Sequence, residues 1–172
     1  MDSPALLISA FSDLHKELLD DVDGLEHATL FWQPAPGINH IGFLLWHIIR
    51  DEDTVVCQSL LDRPQLWVSG NWASKFEFEG LGSVDQGTGF DSEFLPGFRY
   101  ELPELLSYAW EVWAQTADAL SSLNPARLDD DLAWSGDWKL ANLLTTGCLS
   151  HGWVHLGEIR QLRGLRGWKF RE

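Results

Sequence analysis

Two of the six histidines, His151 and His155, stand four residues apart in a stretch of helical periodicity. Residues at that spacing share one helix face, so their imidazoles can reach a single ion. Zn²⁺, Ni²⁺ and related ions accept imidazole nitrogen readily. The spacing alone also fits two unrelated histidines. Glu158 lies seven residues after His151, on the same face. Gly152 and Gly157 accompany the pair, and each should cost up to ~1 kcal/mol against alanine inside a helix. Close packing or ligand access would offset that cost.

A third histidine, His47, interrupts the apolar run Leu44-Leu45-Trp46-His47-Ile48-Ile49. It reads either as a core histidine satisfied by one hydrogen bond or as a third ligand. Asp51 follows one turn later and is placed to orient an imidazole. Asp51 and Glu158 are therefore the candidates for orienting ligands or moving protons. The competing reading makes them solvated faces or ion-pair partners of Arg50 and Arg160. Cys148 shares the face of the histidine pair, as a fourth ligand, a resolving thiol or a small buried residue, the last being the common case. Cys57 carries no signal. His40 lies roughly 10 Å up the helix from His47, too far for the same ion, and should cap the helix or line a mouth. His15 and His27 have acidic or polar neighbours and read as surface residues. Trp46 and Trp153 sit beside the histidines in sequence but point elsewhere, which favours core over pocket.

Bringing three histidines together needs long helices. The chain has four such patterns and no convincing strand pair. Helix 1 is expected from about Ser3 to Leu30, with Ser3 as N-cap and Pro4 at the first position. Its stripe is Leu7, Phe11, Leu14, Leu18, Val22 and Leu25. Helix 2 is expected from about Asn39, as N-cap, to Leu61, stopping before Arg63-Pro64. Helix 3 starts near Pro103 and ends at Asn124-Pro125. Helix 4 begins near Asp137 or Trp138 and runs to about Leu162, with Gly164 and Gly167 at its exit. Residues 63–101 are too many for an ordinary turn. They carry Trp67, Trp72, Phe76, Phe78, Phe90, Phe94, Phe98 and Tyr100, which is not a linker composition. This segment should pack on the bundle as a crossover and form part of a pocket wall. The expectation is one domain over residues 1–172.

Axial register links site and topology. If all four helices alternate, helices 2 and 4 run parallel and His47 misses the pair by roughly 10 Å. If the long segment makes helices 2 and 3 parallel, helix 4 opposes helix 2. His47 then lies ~23 Å from the far end of helix 2, level with a pair ~22 Å into helix 4.

Composition excludes several classes. The 172 residues are 45% hydrophobic and 22% charged, which fits a folded chain. A net charge of −14, from 26 acids and 12 bases, would repel nucleic acid. The bases Arg160, Arg163, Arg166, Lys169 and Arg171 cluster near the end. They would complement the negative end of the last helix, or else bind a polyanion. No apolar run approaches the ~20 residues that span a bilayer, and Met1-Asp2-Ser3-Pro4 lacks the basic start of a signal peptide. Two cysteines without a framework suit a reducing cytoplasm.

The stretches Asn39-His40-Ile41-Gly42-Phe43-Leu44-Leu45-Trp46-His47-Ile48 and His151-Gly152-Trp153-Val154-His155-Leu156-Gly157-Glu158-Ile159 resemble the DinB-like (DinB/YfiT-type) superfamily of metalloenzymes. Leu162-Arg163-Gly164-Leu165-Arg166-Gly167-Trp168, Leu66-Trp67 and Gly87-Thr88-Gly89 extend the likeness over most of the chain. The resemblance implies an all-α, up-down-down-up four-helix bundle with a long crossover between helices 2 and 3. It implies a divalent metal ion, zinc or nickel foremost, held by His47, His151 and His155. Some relatives are thiol-dependent transferases or isomerases. The expected function is thus a metal-dependent enzyme acting on a small molecule, with a low-molecular-weight thiol as candidate cosubstrate. The alternative is a non-catalytic metal-binding stress or sensor module. Bundles of this type commonly dimerise, so a homodimer is a further expectation.

Overall fold

The computed structural model describes residues 2–76, 86–132 and 137–168, and among these there is no β-strand. Phe78, Lys169, Arg171 and the side chain of Phe94 lie outside the described residues. The all-α expectation holds, with four long helices. Helix α1 spans Ser3–Val22. Helix α2 covers residues 41–60, α-helical over Ile41–Thr54 and π-helical over Val55–Leu60. Helix α3 spans Leu102–Ser121. Helix α4 covers residues 140–165, with a π-helical stretch Leu143–Ser150 leading into the α-helix His151–Leu165.

The boundaries correct several expectations. The N-cap of α1 is Asp2, whose carboxylate accepts the Ala5 N–H at 3.0 Å. That helix ends at Val22 and not near Leu30, because Gly24 turns the chain with φ +68°, a conformation glycine adopts without steric cost. A separate helical turn, His27–Leu30, follows. The cap of α2 is His40, not Asn39: its Nδ1 accepts the Phe43 N–H at 2.9 Å. The wider π turns within α2 and α4 break the 3.6-residue periodicity on which the expected faces rested.

Contacts fix the helix directions. Asp51 bonds His151 while His47 faces His155, so α2 and α4 are antiparallel. Arg50 meets Tyr108 and Glu52 meets Thr116, so α2 and α3 run together. Leu14 packs against Gly152 and Asp21 bonds Arg160, so α1 and α4 also run together. His15 stacks on Trp113, and Val22 lines a small cavity with Leu102 and Leu106, so α1 opposes α3. The order is up, down, down, up. Arg160 bonds Glu17 and Asp21, and Arg163 bonds Asp21. These cations join α4 to α1 and do more than complement a helix end.

The segment after α2 is anchored by Asp53. This fully buried carboxylate accepts N–H groups from Leu66 and Trp67, both at 2.9 Å, and the Tyr108 hydroxyl at 2.5 Å. Arg50, also fully buried, donates to Gln65 at 2.8 Å and lies over the Trp67 ring. Trp46, Trp67, Phe98 and Tyr100 interlock edge to face between the segment and α2, a geometry aromatic rings favour. The expectation that Trp67, Trp72, Phe76, Phe98 and Tyr100 pack onto the bundle is met, since all are buried.

Candidate metal centre

The antiparallel approach of α2 and α4 brings His47, His151 and His155 together, with one ring nitrogen of each within 4.8 Å of the others. Ring centroids are 5.0 Å apart for His47–His151, 5.2 Å for His47–His155 and 4.3 Å for His151–His155. Each Nδ1 is held by an oxygen. His47 Nδ1–H donates to the Gln86 carbonyl at 2.6 Å, His151 Nδ1–H to Asp51 at 2.8 Å and His155 Nδ1–H to Glu158 at 2.7 Å. A carbonyl or carboxylate oxygen only accepts, so each ring carries its proton on Nδ1 and a neutral ring presents a lone pair at Nε2.

The Nε2 atoms of His151 and His155 are 2.8 Å apart. Two lone pairs at that distance repel unless a proton or a cation lies between them. Imidazole nitrogens sharing a tetrahedral ion at ~2.0–2.1 Å stand ~3.3 Å apart, inside the range the cluster spans. The donor set and its oxygen anchors thus fit a divalent ion, including the carboxylate–histidine pairing typical of such ligands.

The surroundings differ around the cluster. Burial holds His47 below the ordinary histidine range, whereas the hydrogen bond that His151 donates to Asp51 raises His151 above it. The side chains of His151 and Glu158 are 33% and 48% exposed, so the cluster opens on that side. Next to it lies a cavity of about 400 Å³ whose walls include Ile38, Leu44, Glu158, Leu162 and Leu165.

Asp51 does orient an imidazole, but that of His151 across the helix pair, not that of His47 on its own helix. Glu158 is drawn to His155 and not to Arg160. Cys148 is not part of the cluster. It sits in the hydrophobic core, where burial keeps its thiol protonated, and burial likewise pushes Cys57 up to about 12. His40 is a fully buried cap and His27 is exposed, in line with expectation. Two readings fail. Trp153 is 40% exposed and not core. His15 is not a surface residue: its side chain is 12% exposed and bonded to the buried Glu52.

The Gln86 carbonyl was not foreseen, because a backbone acceptor leaves no residue type to read. Its neighbour Gly87 carries the nearest signal. At φ +90°, with a Cβ there only 2.8 Å from the Trp46 ring, glycine is what lets this segment lie against α2.

A family model described as the DinB superfamily matches residues 8–159. The chain belongs to the DinB superfamily. A solved structure titled as the conserved protein of locus from Enterococcus faecalis shares the fold, with a TM-score of 0.81 and 21% identity over 95% of this chain and 96% of that one. Comparison with curated proteins finds no match.

Proposed function

We propose that the chain is a metal-dependent enzyme acting on a small molecule, with His47, His151 and His155 as ligands of one divalent ion. The observation that carries this reading is the convergence of three imidazoles whose Nδ1 atoms are all tied to oxygen acceptors. Zinc or nickel suits an all-imidazole donor set. Such an ion supplies Lewis-acid chemistry and lowers the pKa of a thiol or water that reaches it.

The remaining work falls to this chain's own residues. The Gln86 carbonyl, Asp51 and Glu158 hold the three rings in one tautomer, so no reorganisation is needed when ligands bind. The substrate occupies the cavity beside Glu158, its apolar part against Ile38, Leu44 and Leu165. Glu158 Oε2 accepts from His155, which leaves Oε1 to take a proton from an incoming thiol or water. Low-molecular-weight thiols are the cosubstrate class favoured, and the thiols of Cys57 and Cys148 are too buried to substitute for one.

Metal analysis of untagged protein tests the site. About one equivalent is expected, falling below ~0.3 in His47→Ala or His155→Ala. A wild-type content below ~0.3, unchanged by either substitution, sinks the proposal. Thermal shifts with a panel of small thiols test the chemistry. A metal-dependent shift supports the enzyme, while full metal content without any shift favours the sensor alternative.

A further inference from the structure

On the opposite side of the bundle, α1 and α3 enclose a second cavity, of about 480 Å³. Its walls are mostly apolar, with Ile8, Phe11 and Leu19 on α1 facing Trp110, Ala114 and Ala117 on α3. Small-molecule clefts have this size and this character, apolar with a few fixed polar groups.

Two polar side chains of its wall, His15 and Thr116, share a buried partner on a third helix. His15 on α1 bonds Glu52 of α2 at 2.8 Å, and the Thr116 hydroxyl of α3 donates to the other oxygen of Glu52 at 2.5 Å. Glu52 is 2% exposed. A carboxylate there is costly to bury, and apolar residues would pack the same space. His15 is held twice, by Glu52 and by a near-parallel stack on Trp113 at 4.5 Å and 16°. Trp110 meets Trp113 edge to face at 5.2 Å yet is 56% exposed.

Two polar atoms of the wall residues lack partners. Among the described residues nothing bonds the second ring nitrogen of His15, and the buried indole N–H of Trp113 has no acceptor. Aromatic walls select a planar ring. With its Nε2–H given to Glu52, the second ring nitrogen of His15 is an acceptor, which selects a ligand that donates there, such as a hydroxyl.

We propose that this cleft binds a small aromatic molecule bearing a hydroxyl group, at a site separate from the three-histidine cluster. Stacking against the Trp110–Trp113 pair gives affinity. His15, positioned by Glu52, reads the hydroxyl.

The test uses the full chain and two probes of similar shape, 2-naphthol and 2-methylnaphthalene, with indole N–H resonances as the readout. 2-Naphthol is expected to bind roughly tenfold tighter, the effect of one satisfied hydrogen bond. His15→Leu should bring the two probes within about threefold of each other. Ala117→Phe, a substitution at an exposed wall position, should weaken both by at least tenfold, roughly the cost of filling the cleft. Trp110→Ala serves as a second wall variant, and its exposure protects the fold. Absence of 2-naphthol binding, equal binding of both probes to the wild type, or binding unchanged by Ala117→Phe and Trp110→Ala overturns the proposal. So does a wild-type dimer in sedimentation that either wall variant splits, which would make this face a contact between copies.

Discussion

Two acids on α2, Asp51 and Asp53, stand two residues apart and face opposite tasks. Asp53 is fully buried and surrounded by donors: Arg50, Tyr108 and the N–H groups of Leu66 and Trp67. That cluster closes on itself and holds the crossover to the bundle. Asp51 is partly exposed and holds a single ring of a cluster whose Nε2 lone pairs face one another. The first arrangement spends its polar groups on structure. The second leaves acceptors converging on a point that no group among the described residues fills. The same residue type on the same helix thus separates a structural network from a binding site by what its partners leave unsatisfied.

The sharpest way to break this contrast is to remove Asp53. Asp53→Ala takes the counter-charge from the buried Arg50 guanidinium and the acceptor from Tyr108, Leu66 and Trp67, and a loss of ~3–5 kcal/mol is expected in urea unfolding. A loss below ~1 kcal/mol, the value of an exposed pair, would show that the crossover is held by its aromatics alone.

Acid should act at the other end of α2, on its buried cap. Burial, with a smaller contribution from the nearby Arg99 guanidinium, pushes His40 down from 6.5 to about 4. Its folded pKa therefore lies below its unfolded one. The stability from keeping it neutral is fully present above pH ~6.5 and is lost as pH falls toward 4, to a total of ~3 kcal/mol. Urea midpoints between pH 7.5 and 4 measure this. His40→Asn, which keeps an acceptor for the Phe43 N–H, should flatten that part of the profile.

Asp51 should respond in the other observable. Asp51→Ala is expected to weaken metal binding 10–100-fold, as loss of an oxygen partner to a ligating histidine does. The metal-free chain should lose no more than ~1.5 kcal/mol, the scale of one hydrogen bond. Competition with a chelator reads the first and urea unfolding the second. A stability loss comparable to that of Asp53→Ala would erase the distinction between the two clusters.

What the sequence revealed follows from how local each signal is. The pair His151 and His155 needs only one helix turn to be seen. His47 lies far away in sequence and entered through axial register, which tolerated the misplaced helix starts because antiparallel α2 and α4 overlap over a long stretch. The caps Asp2 and His40 were missed by one residue each, since several side chains nearby cap equally well, and the end of α1 by eight, since Leu25 continues the apolar stripe past the turn at Gly24. The π-helical Leu143–Ser150 has no residue signature, and it moved Cys148 off the face that a regular helix assigns. His15, Glu52 and Thr116 come from three helices. Their meeting depends on tertiary packing, which composition and periodicity do not encode.

Gly152 and Gly157 give the finest test, because both break helix propensity beside the same histidines for different reasons. A Cβ at Gly152 would lie 2.6 Å from Leu14 Cδ2, in the buried contact of α4 with α1. Gly152→Ala is therefore expected to lose ~1–2 kcal/mol, overpacking outweighing the gain in propensity. Nothing lies within 4 Å of a Cβ at Gly157. Gly157→Ala should raise stability by up to ~1 kcal/mol through the helix term alone, with metal content unchanged. The pair separates packing from access at the metal centre. If Gly157→Ala stabilises the chain and leaves metal bound yet abolishes the thermal shift with thiols, the open space at Gly157 is where the substrate enters. If the shift survives, entry runs past Ile38 and Leu165 at the cavity mouth.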